Sequence, residues 1–241
     1  MKAKVVIIIQ ARMGSTRLPG KVLKPLSDKP ALTHVIDRCK AVPLADEIVI
    51  ATTIKDEDDV IVQLAQSEGV SVYRGSELDV LSRYYEAARM SRADVIVRIT
   101  SDCPVLDPEL TNDVISAYLE DDSVDYCCNW IDAGFPVGLS AEVFHFDALE
   151  KAQLEGHSAY EREHVTPFIH DHTELFKVKV ITNVTDYSNY RWTLDTPKDL
   201  ELISLMYDKL YEPGKIFSWK QGLRLMEEFP EMAFINMDKQ S

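Results

Sequence analysis

The sequence predicts an α/β protein on a doubly wound, mostly parallel sheet, with an inserted β/α subregion at residues 130–190. Three observations predict it. Short β-rich runs alternate with amphipathic stretches through the first half of the chain. Three of the first four runs are almost continuously apolar, as strands covered on both faces must be. A glycine-bearing turn follows the first of them, where open parallel sheets bind ligands.

The strands of that frame are "KVVIIIQ" (4–10), "EIVIATT" (47–53), "VSVYRG" (70–75) and "DVIVRIT" (94–100). Between them, apolar residues recur at three- and four-residue spacing over 30–41, 56–68 and 77–91, which predicts three helices. Another helix follows Pro108, with Leu110, Val114, Ile115 and Leu119 on one face. Beyond "VDYCCNW" the rhythm changes. A strand is expected at 139–146, a helix over "DALEKAQLEG", and a helix interrupted at Pro167 over "SAYEREHVTPFI". The alternating "ELFKVKVIT" (174–182) predicts a strand with one solvated face. "YRWTLD" (190–195) predicts a last short strand, and Pro197 opens a helix to 210. The segment 130–190 is read as an insertion on a single domain, not as an independent unit.

The composition excludes several function classes. There are 40 Asp plus Glu against 26 Lys plus Arg, a formal charge of -14, which argues against nucleic acid as a partner. No apolar stretch approaches the roughly 18 residues of a membrane span. Four cysteines without C-x-x-C spacing fit neither a disulfide framework nor a zinc site. The expected compartment is the cytoplasm. Against the acidic average, the first 27 residues hold six basic side chains and no acidic one.

That local charge gathers around "QARMGSTRLPGK", residues 10–21. Gly14 and Gly20 let backbone N–H groups approach an anion, and Ser15 and Thr16 add donors. Arg12, Arg17 and Lys21 add charge-assisted bonds. A polyphosphate suits this donor array better than a small anion does. The spacing matches neither the P-loop nor G-x-G-x-x-G.

The same loop resembles the signature of the CMP-sugar synthetases, including the CMP-Kdo and acylneuraminate cytidylyltransferases. Within that family the chain most resembles the branch of spore-coat polysaccharide biosynthesis protein F. The likeness extends through "YRGSELDVLSRYYEAA", "VIVRITSDCPVLDP", "REHVTPFI" and "YRWTLDTPKDLEL". It implies the nucleotide-diphospho-sugar transferase variant of the Rossmann-type fold. It also implies transfer of CMP from CTP to an ulosonic or nonulosonic acid, with loss of pyrophosphate.

The resemblance assigns roles by position. Asp102 in "SDCP" and Asp195 in "LDTP" match the family's Mg²⁺-binding aspartates, which favours the metal role over the plainer readings of Asp102 as a turn cap and Asp195 as an N-cap. Lys21 and Arg12, with those aspartates, are the expected catalytic set. Asp79 and Arg83 occupy the base-reading region, either as ligand contacts or as an i,i+4 ion pair. Arg98 either meets phosphate or is satisfied by a neighbouring carboxylate. Glu142, Arg162 and His164 are the candidates for sugar binding, with a structural role open for His164. His170 and His172 read as exposed. The branch often has an aspartate where this chain has Val137, which puts the usual sugar in question. A sugar-1-phosphate nucleotidyltransferase, a glycosyltransferase and a non-catalytic nucleotide-binding protein are the competing readings. The resemblance also implies a homodimer contact through the 130–190 insertion, where Trp130, Ile131, Phe135, Phe144 and Phe146 exceed what a minimal α/β domain needs.

Overall fold

The computed structural model describes residues 2–237. The strands are β1 (Val5–Gln10), β2 (Pro25–Leu26), β3 (Lys29–Pro30), β4 (Glu47–Thr53), β5 (Ser71–Gly75), β6 (Val95–Thr100), β7 (Tyr126–Cys128), β8 (Glu142–His145) and β9 (Val178–Val180). The helices are α1 (Ala31–Lys40), α2 (Asp59–Ser67), α3 (Val80–Ser91), α4 (Pro108–Leu119), α5 (Phe146–Glu155), α6 (Ala159–His164), α7 (Pro167–His170), α8 (Pro197–Leu210) and α9 (Trp219–Glu228). Seven strands form one sheet in the order β5-β4-β1-β6-β8-β7-β9. All run parallel except β8, which is antiparallel to both its neighbours.

The apolar first strand explains the layering. Val5 to Ile9 are fully buried, because alternate side chains enter opposite layers. Val5, Ile7 and Ile9 pack with Leu32 and Val35 of α1, Ile61 of α2 and Val114 of α4. Val6 and Ile8 pack with Leu81 and Tyr84 of α3, Leu149 of α5 and Phe168 of α7. Burying each such side chain stabilises the fold by about 1.5–3 kcal/mol before chain entropy is counted. A third cluster joins Trp192 and Leu194 to α8 and α9.

The later elements differ from the sequence reading. Residues 190–195 form no strand; they make one parallel bridge, Val137 to Arg191, and otherwise run beside the sheet. The apolar residues there belong to the third cluster instead. "VDYCCNW" supplies β7, and α9 is a helix the sequence reading did not mark. The 130–190 segment gives β8 and β9 to the main sheet and covers one face with α5 and α7. Phe144 is fully buried, Ile131 and Phe146 pack on the second cluster and Phe135 on the third. Of the five residues that suggested a dimer face, only Trp130 remains markedly exposed.

Candidate active site

The parallel strands open at one edge, where β1, β4, β5 and β6 all end. From β1 the chain enters the loop 11–20. Met13 N–H donates to Asp58 Oδ1 at 2.6 Å, and Asp58 is fully buried. Ser15 N–H and Gly20 N–H both donate to Met13 O, at 2.8 and 3.3 Å. Gly20 turns back with φ +64°, a left-handed position that favours glycine. Gly14 and Thr16 make no hydrogen bond with the described residues. Their N–H groups are therefore unspent.

Lys21 follows at once and reaches across the edge. Its Nζ lies 2.7 Å from Asp102 Oδ2 and 2.7 Å from Asp195 Oδ1. Residues 81 and 174 positions away meet on one ammonium. Two backbone features make this possible. Asp102 lies in the turn after β6, and its carbonyl accepts Leu194 N–H at 2.8 Å, which ties the two aspartate segments together. Asp195 precedes the capping box of α8, in which Thr196 and Asp199 satisfy each other's N–H groups. Asp199 is itself buried and also accepts from Asp195 N–H at 3.0 Å. The N-cap role thus belongs to Thr196, and Asp195 is left to face Lys21.

Two of the charges there are held away from their ordinary pKa values. Burial works against the Lys21 charge, but Asp102 and Asp195 outweigh it and hold its pKa above the ordinary lysine range. Burial likewise opposes ionisation of Asp195. Lys21, Arg17 and Arg191 reverse that and hold its carboxyl below the usual range. Arg17 lies 3.2 Å and Arg191 2.6 Å from Asp195 Oδ2. Arg191 lies in "YRWTLD", where a strand pattern masks its part in the site, and its spacing of four from Asp195 is the sequence signal for it.

A second cluster sits beside the loop. Arg12 and Lys55 pair with Glu77, at 3.3 and 2.6 Å. Arg83 is 2% exposed, and its Nε and one terminal nitrogen have no hydrogen-bond partner. Its stem passes where a Cβ on Gly75 would be, at 2.9 Å. Burial pushes the Arg83 pKa down. An under-satisfied guanidinium so close to the loop costs free energy until an acceptor arrives.

Other expected ligand residues are committed elsewhere. Asp79 and Arg83 do not pair; Asp79 caps α3 through Ser82 N–H at 3.0 Å and forms an ion pair with Arg162. Arg162 also donates to Gln153 O and Gly156 O, so its donors fasten α6 to α5 and α3. Arg98 does not face the loop as a free phosphate donor. It forms a buried ion pair with Glu142, which also accepts from Tyr126 and Thr166 at 2.7 and 2.6 Å. Arg98 therefore takes the second of its two expected roles, satisfied by a neighbouring carboxylate, and a ligand would have to displace a partner from it or from Glu142. His164 is exposed and packs on Tyr160, with ring centroids 4.7 Å apart. His170 is not exposed but packs against Tyr126 and Trp130. His172 is half-buried and bonded to Phe168 O.

Comparison with known proteins agrees with the fold and identifies its family. The cytidylyltransferase family model matches residues 6–221. The spore coat polysaccharide biosynthesis protein SpsF of Bacillus subtilis is 34% identical over 237 residues, covering 95% of this chain and 96% of its own. A 3-deoxy-manno-octulosonate cytidylyltransferase of Anaeromyxobacter dehalogenans is 34% identical over 115 residues, 47% of this chain and 46% of its own. A solved cytidylyltransferase from Leptospira borgpetersenii superposes with a TM-score of 0.93 at 34% identity, over the whole of both chains. The matched span carries the loop, the Lys21–Asp102–Asp195 cluster and the sheet that holds them. The chain belongs to the cytidylyltransferase family, and it is a nucleotidyltransferase.

Proposed function

We propose that this enzyme transfers CMP from CTP to a hydroxyl of an anionic sugar of the ulosonic or nonulosonic class, for a surface polysaccharide or glycan. The observation that carries the reading is Lys21 held between Asp102 and Asp195 at the mouth of a donor-rich glycine loop. The acceptor hydroxyl oxygen attacks the α-phosphorus and gives up its proton to solvent, the bond to the β-phosphate oxygen breaks, and pyrophosphate departs with that electron pair. Arg12, Arg17, Lys21 and the unspent N–H groups of Gly14 and Thr16 hold the triphosphate, with Ser15 and Gly20 shaping the loop. They also stabilise charge growing on the leaving group. Arg83 offers two unsatisfied donors close by.

Asp102 and Asp195 would hold Mg²⁺. Two carboxylates already converge on one cation, and among the described residues no cluster of three or more metal-ligating side chains exists. That donor set fits Mg²⁺, which takes one or two carboxylates and completes its shell with water and phosphate. The ion, when bound, offsets phosphate charge and acidifies the acceptor hydroxyl. Lys21, neutralising both aspartates here, is the group a phosphate would recruit.

Pyrophosphate release from each of four nucleoside triphosphates, tested with ulosonic acids and with sugar 1-phosphates, decides the matter. CTP with an ulosonic acid is the expected pair. Release only with a sugar 1-phosphate would refute the acceptor class, and CTP binding without any release would refute turnover. The setting is cytoplasmic, in keeping with four free, buried cysteines; no helix among the described residues is long and apolar enough to cross a membrane. A homodimer is proposed through exposed Leu154, Tyr160 and Leu175. A monomer in light scattering at micromolar concentration would count against it.

A further inference from the structure

The chain has three tryptophans. Trp192 is fully buried and Trp219 nearly so, whereas Trp130 is 43% exposed. An indole left open in this way forgoes the burial its large apolar body favours. It is nevertheless held firmly. Its Nε1–H donates to the Tyr126 hydroxyl at 3.0 Å. The His170 ring stands edge-on to it, with centroids 5.4 Å apart and planes at 76°.

The hold continues inward as one chain of polar contacts. Tyr126 O–H donates to Glu142, Glu142 pairs with Arg98, and Arg98 reaches Gln10 Oε1 at 3.3 Å. Gln10 is the last residue of β1, from which the phosphate-facing loop departs. Thr166 closes the network on Glu142, and it stands there because buried Val165 takes a strained turn at φ +73°. Arg98 Nε lacks a partner, but every other link just named is made, and a connected buried network of this kind is stiff. The indole is thus fixed relative to the nucleotide loop, not merely near it.

Its place on the sheet gives it an object. β6 and β7 run parallel with β8 between them. Asp102 and Trp130, each two residues beyond a strand end, leave the same edge about two strand spacings, roughly 10 Å, apart. A sugar ring presents one face of C–H groups, and an aromatic face, electron-rich at its centre, attracts such hydrogens.

We propose that Trp130, propped by Tyr126 and His170, is the platform on which the acceptor sugar lays the apolar face of its ring. It selects acceptors with an unencumbered ring face and presents them toward Asp102. The inference rests on the acceptor class proposed above.

The test uses the full-length protein with CTP and Mg²⁺, titrated with 3-deoxy-manno-octulosonate and with N-acetylneuraminate. Tryptophan emission and pyrophosphate release are both followed. A sugar that is turned over is expected to change the emission, and Trp130→Phe is expected to abolish that change. Trp130→Ala should raise the acceptor KM about tenfold, the equivalent of one lost stacking contact, with the KM for CTP unaltered. Trp130→Phe should restore most of that loss. A sugar turned over with no Trp130-dependent signal and an unchanged KM in Trp130→Ala overturns the platform alone. No turnover and no signal from either sugar overturns the platform and the acceptor class together. A Trp130-dependent signal without turnover supports the platform and counts against the reaction.

Discussion

Replacing Lys21 with methionine tests the centre of the site without changing its bulk. Lys21 Nζ contacts one oxygen of each aspartate at 2.7 Å, and the three side chains are 16%, 24% and 15% exposed. At that separation each pair is worth about 6 kcal/mol in gross Coulomb energy at an effective dielectric constant of 20. Desolvation of three charges offsets most of this. Arg17 and Arg191 still neutralise Asp195 in the variant, so Asp102 loses most. The expected net loss is about 2–3 kcal/mol near neutral pH, or roughly 5–10 °C in Tm for a chain of this length. The pH dependence follows from the directions of the shifts. The Asp195 pKa is depressed, so its contribution is present above about pH 4 and fades as the pH falls through the folded value. The Lys21 pKa is raised, so its contribution is present below about pH 10 and fades only at higher pH. Calorimetry of both proteins in magnesium-free buffer should show a gap at pH 7 that closes toward pH 3. An equally stable variant at pH 7, or a gap that ignores pH, would refute the reasoning. Pyrophosphate release should also fall on the order of 10²-fold or more if Lys21 meets the transition state.

Three further outcomes are expected. Glu142→Gln leaves the buried Arg98 charge without its counter-ion and should cost about 3–5 kcal/mol in urea unfolding; the double variant Arg98→Met with Glu142→Leu should lose less than Glu142→Gln alone. Gly20→Ala forces a side chain into φ +64°, so stability should fall by about 1–2 kcal/mol and the KM for CTP should rise. Asp58→Ala strips the partner of Met13 N–H and of the Thr53 hydroxyl; a loss of about 1–3 kcal/mol and weaker CTP binding by calorimetry should follow, and undiminished binding would show that the loop needs no such anchor.

Where hydrophobic pattern alone sets the structure, the sequence is legible. β1, β4 and β6 carry runs that only doubly covered strands tolerate, and they and the edge strand β5 lie within a residue or so of their expected bounds. The loop and its basic residues were legible too, because glycine and charge mark them directly. The acid that anchors the loop was not. Asp58 lies in the run Asp56 to Asp59, and only the three-dimensional turn decides that it, not its neighbours, points inward. The stretch 190–195 misled for a related reason: Trp192 and Leu194 alternate as strand residues do, but the layer they fill is the α8–α9 cluster rather than the sheet.

Arg98 and Glu142 show why a charged residue on a strand admits two readings. In isolation each looks like a ligand contact, since a buried charge is costly without a purpose. Their register supplies one. Arg98 stands opposite Glu142 across β6 and β8, and Glu142 opposite Cys128 across β8 and β7. Among the described residues β8 is the one antiparallel strand of the seven-stranded sheet and only four residues long, so apolar pairing does little to specify its register. A slip of one residue would turn the carboxylate to the other face of the sheet and leave the guanidinium unpaired among apolar side chains, at a cost of several kcal/mol. The pair therefore holds in alignment the strand that spaces Trp130 from Asp102. It acts on the site through geometry, by placing the strand.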